Sequence, residues 1–200
     1  MRLLSLDLSK ASTGWCYWDG ETDRPRYGHW RLGSEYTTDG GVFAKLHQCL
    51  SELRMMARFD WIYFEEPIHP ANLSGATNIH AIRLATGLSS HAESFGHAMG
   101  CRTKAINVGL WRKAFIGEDI ARQTSADARK RAKALGKKVS ARDQLKALTM
   151  ERCRQLGMAP RKDDEGDAIG ILTYALQLNH IMPPWLANET LRPMFGSATA

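Results

Sequence analysis

Three short runs of alternating apolar residues come before the first helical period in this chain, and that order narrows the folds open to it. Leu3-Leu4-Ser5-Leu6-Asp7-Leu8 reads as a buried strand, Gly14 to Trp18 as a second and Arg26 to Leu32 as a third, with Asp19-Gly20 as a hairpin turn signal. The period then changes. Val42, Leu46, Leu50, Leu53 and Met56 recur at helical spacing between Gly41 and Arg58. A strand follows at Trp61 to Phe64, closed by Glu65-Glu66-Pro67. Residues 75–99 predict a helix with small-residue faces, and Ala105 to Val108 a short fifth strand with one helical turn around Trp111. Residues 117–139 predict an exposed helix or mobile insertion. Ser140 to Asp143 resembles a capping box, Gly157 a helix stop, and a last helix should run from about Asp164 to His180 before Pro183-Pro184. Three antiparallel strands followed by alternating helices and strands predict an α/β protein, a mixed sheet flanked by helices.

This reading gives one domain over residues 1–182, with a basic insertion at about 117–139, and a loosely packed tail over 183–200. No apolar run approaches the roughly 18 residues of a membrane span, and Asp7 and Lys10 interrupt any signal-peptide core. Neither secretion nor membrane insertion is expected. Cys16, Cys49, Cys101 and Cys153 stand alone, with no histidine at metal-ligand spacing, so reduced, buried thiols in a cytoplasmic protein are expected rather than a structural zinc.

Charge is unevenly distributed. Residues 102–162 hold 17 Lys and Arg against 5 Asp and Glu, whereas the remainder holds 10 against 16. A basic third on an acidic body is the footprint of a polyanion binder, the plain alternative being a solvated helical surface. Nucleic acid fits better than a membrane, since the basic stretch lacks a bulky apolar face. Lys104, Arg112, Lys113 and Lys146 are the candidate phosphate contacts, or else solvated surface charges. The six tryptophans and Met55-Met56 read as core or dimer packing, with Trp111, beside Arg112 and Lys113, the one candidate base-stacking platform.

Three acidic positions stand where structure alone would not put them. Asp7 interrupts an apolar strand and points away from Leu6 and Leu8, so it needs a partner, a cation or water. Glu65-Glu66 ends a strand, and only one of the two can share a face with Asp7. Asp163, Asp164, Glu165 and Asp167 open an apolar helix, where acids suit the macrodipole, yet four in five residues exceed that need. Asp164 and Asp167 share one helix face, which Ile171 continues. Carboxylates a few ångströms apart repel by roughly 4 kcal/mol per pair at an effective dielectric near 20, so clustering implies cations. Hard oxygen ligands suit Mg²⁺ or Mn²⁺, two of which can clamp a phosphodiester.

Asp7-Leu8-Ser9-Lys10-Ala11-Ser12-Thr13-Gly14-Trp15 resembles the first motif of the RuvC family of Holliday-junction resolvases, within the ribonuclease H-like superfamily. Ile62-Tyr63-Phe64-Glu65-Glu66 looks like the second motif, and Asp164-Glu165-Gly166-Asp167-Ala168-Ile169 is similar to the third. The resemblance implies a ribonuclease H-like five-stranded sheet with Asp7 and Glu65 on neighbouring strands. It implies Asp7, Glu65, Asp164 and Asp167 as catalytic ligands of two Mg²⁺ per site, with Mn²⁺ able to substitute. It also implies a homodimer acting on branched, four-way DNA, with cleavage to a 5′-phosphate and a 3′-hydroxyl. Leu8-Ser9-Lys10 stands where bacterial cellular enzymes have Pro-Gly-Ser, and Ile68-His69 where they place an aromatic, as in divergent phage or prophage relatives. The alternatives are a ribonuclease H-like or broader branched-DNA nuclease, and a junction-binding module without catalysis. An actin-like kinase would need a second lobe that 200 residues cannot supply.

Overall fold

The computed structural model describes residues 1–67, 79–136 and 139–187. Its five strands are β1 (Leu3–Asp7), β2 (Thr13–Trp18), β3 (Arg26–Trp30), β4 (Trp61–Glu65) and β5 (Arg102–Ile106). They form one sheet in the order β3-β2-β1-β4-β5. The β1–β2 and β2–β3 pairs are antiparallel and the β1–β4 and β4–β5 pairs parallel, the mixed sheet expected.

Side-chain alternation sorts β1 and β4 between two cores. Leu4, Leu6, Ile62 and Phe64 face one layer, made by α1 (Asp39–Met56) and α2 (Ile79–Ala98). Leu3 and Tyr63 face the other, built on α3 (Val108–Ile116), α5 (Arg142–Gln155) and α6 (Asp163–Leu178), which α4 (Glu118–Leu135) joins through Ala121. Leu3, Leu4, Leu6 and Ile62 are fully buried, each worth about 1.5–3 kcal/mol of transfer free energy. Small residues admit the helices closely. A Cβ on Gly87 would meet Phe43 Cζ at 2.4 Å, and one on Gly96 would meet Thr103 Cγ2 at 2.3 Å.

The C-terminal half departs from expectation in four places. The fifth strand lies three residues earlier than predicted, because Lys104 and Ala105 face out on an edge strand and its only buried apolar residue is Ile106. Around Trp111 there is a whole helix rather than a turn: Asn107 caps α3 by accepting from Gly109 N, and Gly117, at φ 100°, ends it. Ser140 forms no capping box; its hydroxyl accepts from Arg142 N, one residue short of that geometry. Trp185, in a 3₁₀ turn at Pro184–Leu186, is buried edge-on against Trp18 and donates to Thr173 Oγ1 at 3.0 Å. Gly157 does stop α5, with φ 75° and a Met158 N to Cys153 O bond. All four cysteines are free and buried. The expected helix start over 75–78, Ile68-His69, residues 137–138 of the insertion and 188–200 of the tail lie outside the described residues.

Candidate active site

Gly14 sits directly opposite Asp7 in the β1–β2 ladder. A Cβ there would lie 1.9 Å from the Asp164 carbonyl oxygen, so only glycine lets the first turn of α6 rest on β2. Thr13 fixes the intervening loop: its hydroxyl donates to Ser9 O at 2.6 Å and accepts from Ser9 N at 3.1 Å. Ser5, two residues before Asp7 and on the same face, donates to Ala168 O of α6 at 2.6 Å. The strand acid and the helix acids therefore meet because backbone packs on backbone.

The β1–β4 register, with Ser5 opposite Tyr63 and Leu6 opposite Phe64, decides between the two glutamates. Glu65 falls on the face of Asp7. Glu66 is exposed, and its carboxylate accepts from Asn107 Nδ2 at 3.3 Å. On α6 the four acids divide. Asp163 pairs with Lys146. Glu165, buried, pairs with His29 Nδ1 at 2.6 Å and accepts from Arg161 N at 2.7 Å, a structural acid closing the helix start. Asp164 and Asp167 act on Asp7.

The electrostatics record that convergence. Burial, then the charges of Glu65, Asp167 and Asp164, push the Asp7 carboxyl well above the usual carboxylate range, against a smaller opposing pull from Lys146. Burial also raises Glu65, opposed by Arg112 and by the Trp111 indole, which donates to Glu65 Oε2 at 3.2 Å. Burial pushes Asp167 up to about 7; Arg112 opposes the shift and Glu65 adds to it. Lys146 is itself raised, burial being outweighed by Asp163.

Arg112 and Lys146, two of the candidate phosphate contacts, are each paired with an acid at this centre. Arg112 Nη2 lies 2.9 Å from Asp167 Oδ2, with only 14% and 4% of the two side chains exposed. The Arg112 guanidinium also rests on the Trp111 ring, 4.5 Å from its centroid. Trp111 is fully buried and so cannot stack on a base; it braces Glu65 and Arg112 instead. Lys104 is exposed on β5, and Lys113 is half-exposed, 3.7 Å from Glu118. Met55 and Met56 are exposed, not core.

Asp167 Oδ1 is buried without a hydrogen-bond partner among the described residues, an expensive state that a cation would relieve. Among the described residues, no three Asp, Glu, His or Cys side chains stand close enough to hold an ion between them. The four carboxylates are coupled through their charges, Arg112 holds Asp167 of the group, and Lys146 holds the adjoining Asp163. The donor set, all carboxylate oxygen with one orphan, fits a hard divalent cation.

The metal-free protein should lose stability as pH rises. Below about 3.8 the folded and unfolded chains both protonate Asp167; from there to about 7 only the folded chain keeps the proton. The melting temperature in chelator should therefore fall by about 5 °C between pH 5 and 7.5 in a thermal scan, and Asp167→Asn should flatten the slope. A melting temperature that rises over this interval contradicts the reading.

No protein-family model and no curated protein matches the sequence. Solved structures do match the fold. Thermus thermophilus RuvC superposes with a TM-score of 0.58 and 16% identity over 90% of this chain and 96% of that one. The T. thermophilus RuvC complex with a Holliday junction substrate gives 0.58 and 14% over the same shares. The yeast mitochondrial Holliday junction resolvase Ydc2 gives 0.52 and 10% over 96% of this chain and 86% of that one. The chain has the ribonuclease H-like fold of these resolvases.

Proposed function

We propose that this protein is a divalent-metal-dependent endonuclease that resolves four-way DNA junctions. The observation that carries the reading is the meeting of Asp7, Glu65, Asp164 and Asp167 in one partly desolvated centre, where their charges raise the Asp7 carboxyl. Three solved junction-resolvase structures with this fold support the substrate class.

Asp7, Glu65, Asp164 and Asp167 would hold two Mg²⁺ or Mn²⁺ ions. Such ions supply charge compensation and a water activated for in-line attack on phosphorus, giving 5′-phosphate and 3′-hydroxyl ends. The protein's own part is placement. Gly14 seats the α6 acids beside Asp7, Trp111 fixes the Glu65 carboxylate, and Arg112 keeps Asp167 from turning away. The exposed cations Arg122, Arg129, Arg131 and Lys133 of α4 offer the backbone a basic flank. Symmetric incision of a four-way junction needs two such centres, so the acting form is a homodimer. Its place of work is the cytoplasm of a bacterial cell, encoded there or by a phage.

Substrate ranking tests this. A labelled four-way junction in Mg²⁺ should be cut by paired nicks at symmetric positions, at least about tenfold faster than linear duplex or an RNA–DNA hybrid. Faster cutting of the hybrid would keep the centre and move the protein to a ribonuclease H-like activity. Junction binding without cutting of any substrate would leave a binding module.

A further inference from the structure

Behind the carboxylate centre, between α3, α4 and the start of α5, lies a cavity of about 400 Å³. Its size falls within the range of sites that enclose small organic molecules and is far too small for a duplex. Four cations line it, Arg112 and Lys113 from α3 and Arg122 and Arg129 from α4, and among the described residues no acid does. The remaining wall includes Val108, Ala126 and Leu145, which are apolar. Four like charges around one cavity repel, so the arrangement asks for an anion just as the neighbouring acids ask for cations.

The partners these cations already have leave room for one. Arg122 is tied to Asp119 in an exposed pair, and Lys113 reaches Glu118 only at 3.7 Å. Arg129 has no ion-pair partner among the described residues. Arg112 belongs to both places: its Nη2 holds Asp167, while its buried Nε has no hydrogen-bond partner among the described residues. One side chain thus joins the cavity to the carboxylate centre, within a nucleotide's reach.

We propose that this cavity takes a single unstacked nucleotide of the DNA strand lying across the carboxylates, its phosphate against the guanidinium groups and its base on the apolar wall. The basic insertion seen in the sequence then has a specific task, since α4 supplies half of the cavity. The proposal rests on the nuclease reading above. A free mononucleotide shares the same chemistry, so the test separates the two sources.

Ser125 lines the cavity, and its hydroxyl bonds only within its own helix, to Ala121 O at 2.9 Å, so Ser125→Cys is a mild change. Lys130→Cys, exposed on the same helix and not lining the cavity, is the control. The native cysteines are all buried and should stay silent. Each variant is mixed in Ca²⁺ with four-way junctions carrying a disulfide-tethered adenine at successive positions near the branch. Ser125→Cys should trap one position at least about fivefold more than Lys130→Cys does, through the raised local concentration of a seated base. Equal trapping at both positions, or none at Ser125 in protein that still cuts the junction, overturns the proposal. Protection of Ser125→Cys from iodoacetamide by millimolar deoxyadenosine monophosphate but not by junction assigns the cavity to free nucleotides and also overturns it. Failure of the wild-type protein to cut any DNA in Mg²⁺ is a separate result, which counts against the nuclease reading and leaves the trapping outcome to decide the cavity.

Discussion

Replacing Asp7 by Asn should abolish DNA cutting and at the same time make the metal-free protein more stable. Both effects have one cause. Asp7 shares its face of the sheet with Glu65 and meets Asp164 and Asp167, and burial together with those charges holds its carboxyl well above the usual range. The neutral amide keeps the shape and removes the repulsion. One pKa unit of such displacement corresponds to about 1.4 kcal/mol, so a rise of at least about 3 °C in melting temperature is expected in chelator at pH 7.5. Cutting should fall by more than about a hundredfold, because even outer partners of a metal site cost roughly 10- to 100-fold when lost. Junction affinity in Ca²⁺ should change little. A destabilised Asp7→Asn protein would mean that Asp7 is an ordinary structural acid with a good partner.

Gly14→Ala should damage the fold and the chemistry together. The added methyl would lie 1.9 Å from Asp164 O, 2.3 Å from Asp164 C and 3.0 Å from Glu165 N. All three are backbone atoms, so no side-chain rotation relieves the clash, and α6 must lift from β2. Overpacking of this kind costs about 3 kcal/mol, or about 6–12 °C for a chain this long. Lifting α6 by ~1 Å also carries Asp164 and Asp167 away from Asp7, which should cost about a hundredfold in cutting. Gly40→Ala is the matched control: a Cβ there meets nothing within 4 Å, so stability should hold or rise slightly. Equal behaviour of the two variants would remove Gly14 from the account.

Much of this geometry was legible beforehand, for identifiable reasons. Apolar runs located β1 and β4, with Leu4, Leu6, Ile62 and Phe64 among their buried residues, and alternation located β2 and β3. That reading misplaced β5, whose exposed residues give no apolar run, and it shortened α3 to a single turn, although Val108, Trp111 and Phe115 form an apolar stripe between the Asn107 cap and the Gly117 stop. Asp7, Asp164 and Asp167 could be singled out because an acid in an apolar strand or an overloaded helix start is costly to explain otherwise. Glu65 against Glu66 waited for the strand register, which no single strand contains. Arg112 and Lys146 stand among the candidate phosphate contacts because they lie in the basic third of the chain; their partners, Asp167 and Asp163, lie 55 and 17 residues away and leave no local signal. Trp111 was misjudged for the same reason, its burial being set by α6, where a Cβ on Gly170 would touch its ring at 2.5 Å.

The most direct test of the central claim is the metal dependence of cutting. Wild-type protein is incubated with a labelled four-way junction in EDTA and across a Mg²⁺ series, and strand breaks are read on a denaturing gel. The account predicts no cutting in EDTA and a rise with Mg²⁺ steeper than first order, with 5′-phosphate ends. Cutting that persists in EDTA, or no cutting at any Mg²⁺ or Mn²⁺ concentration by protein that binds the junction, would contradict it.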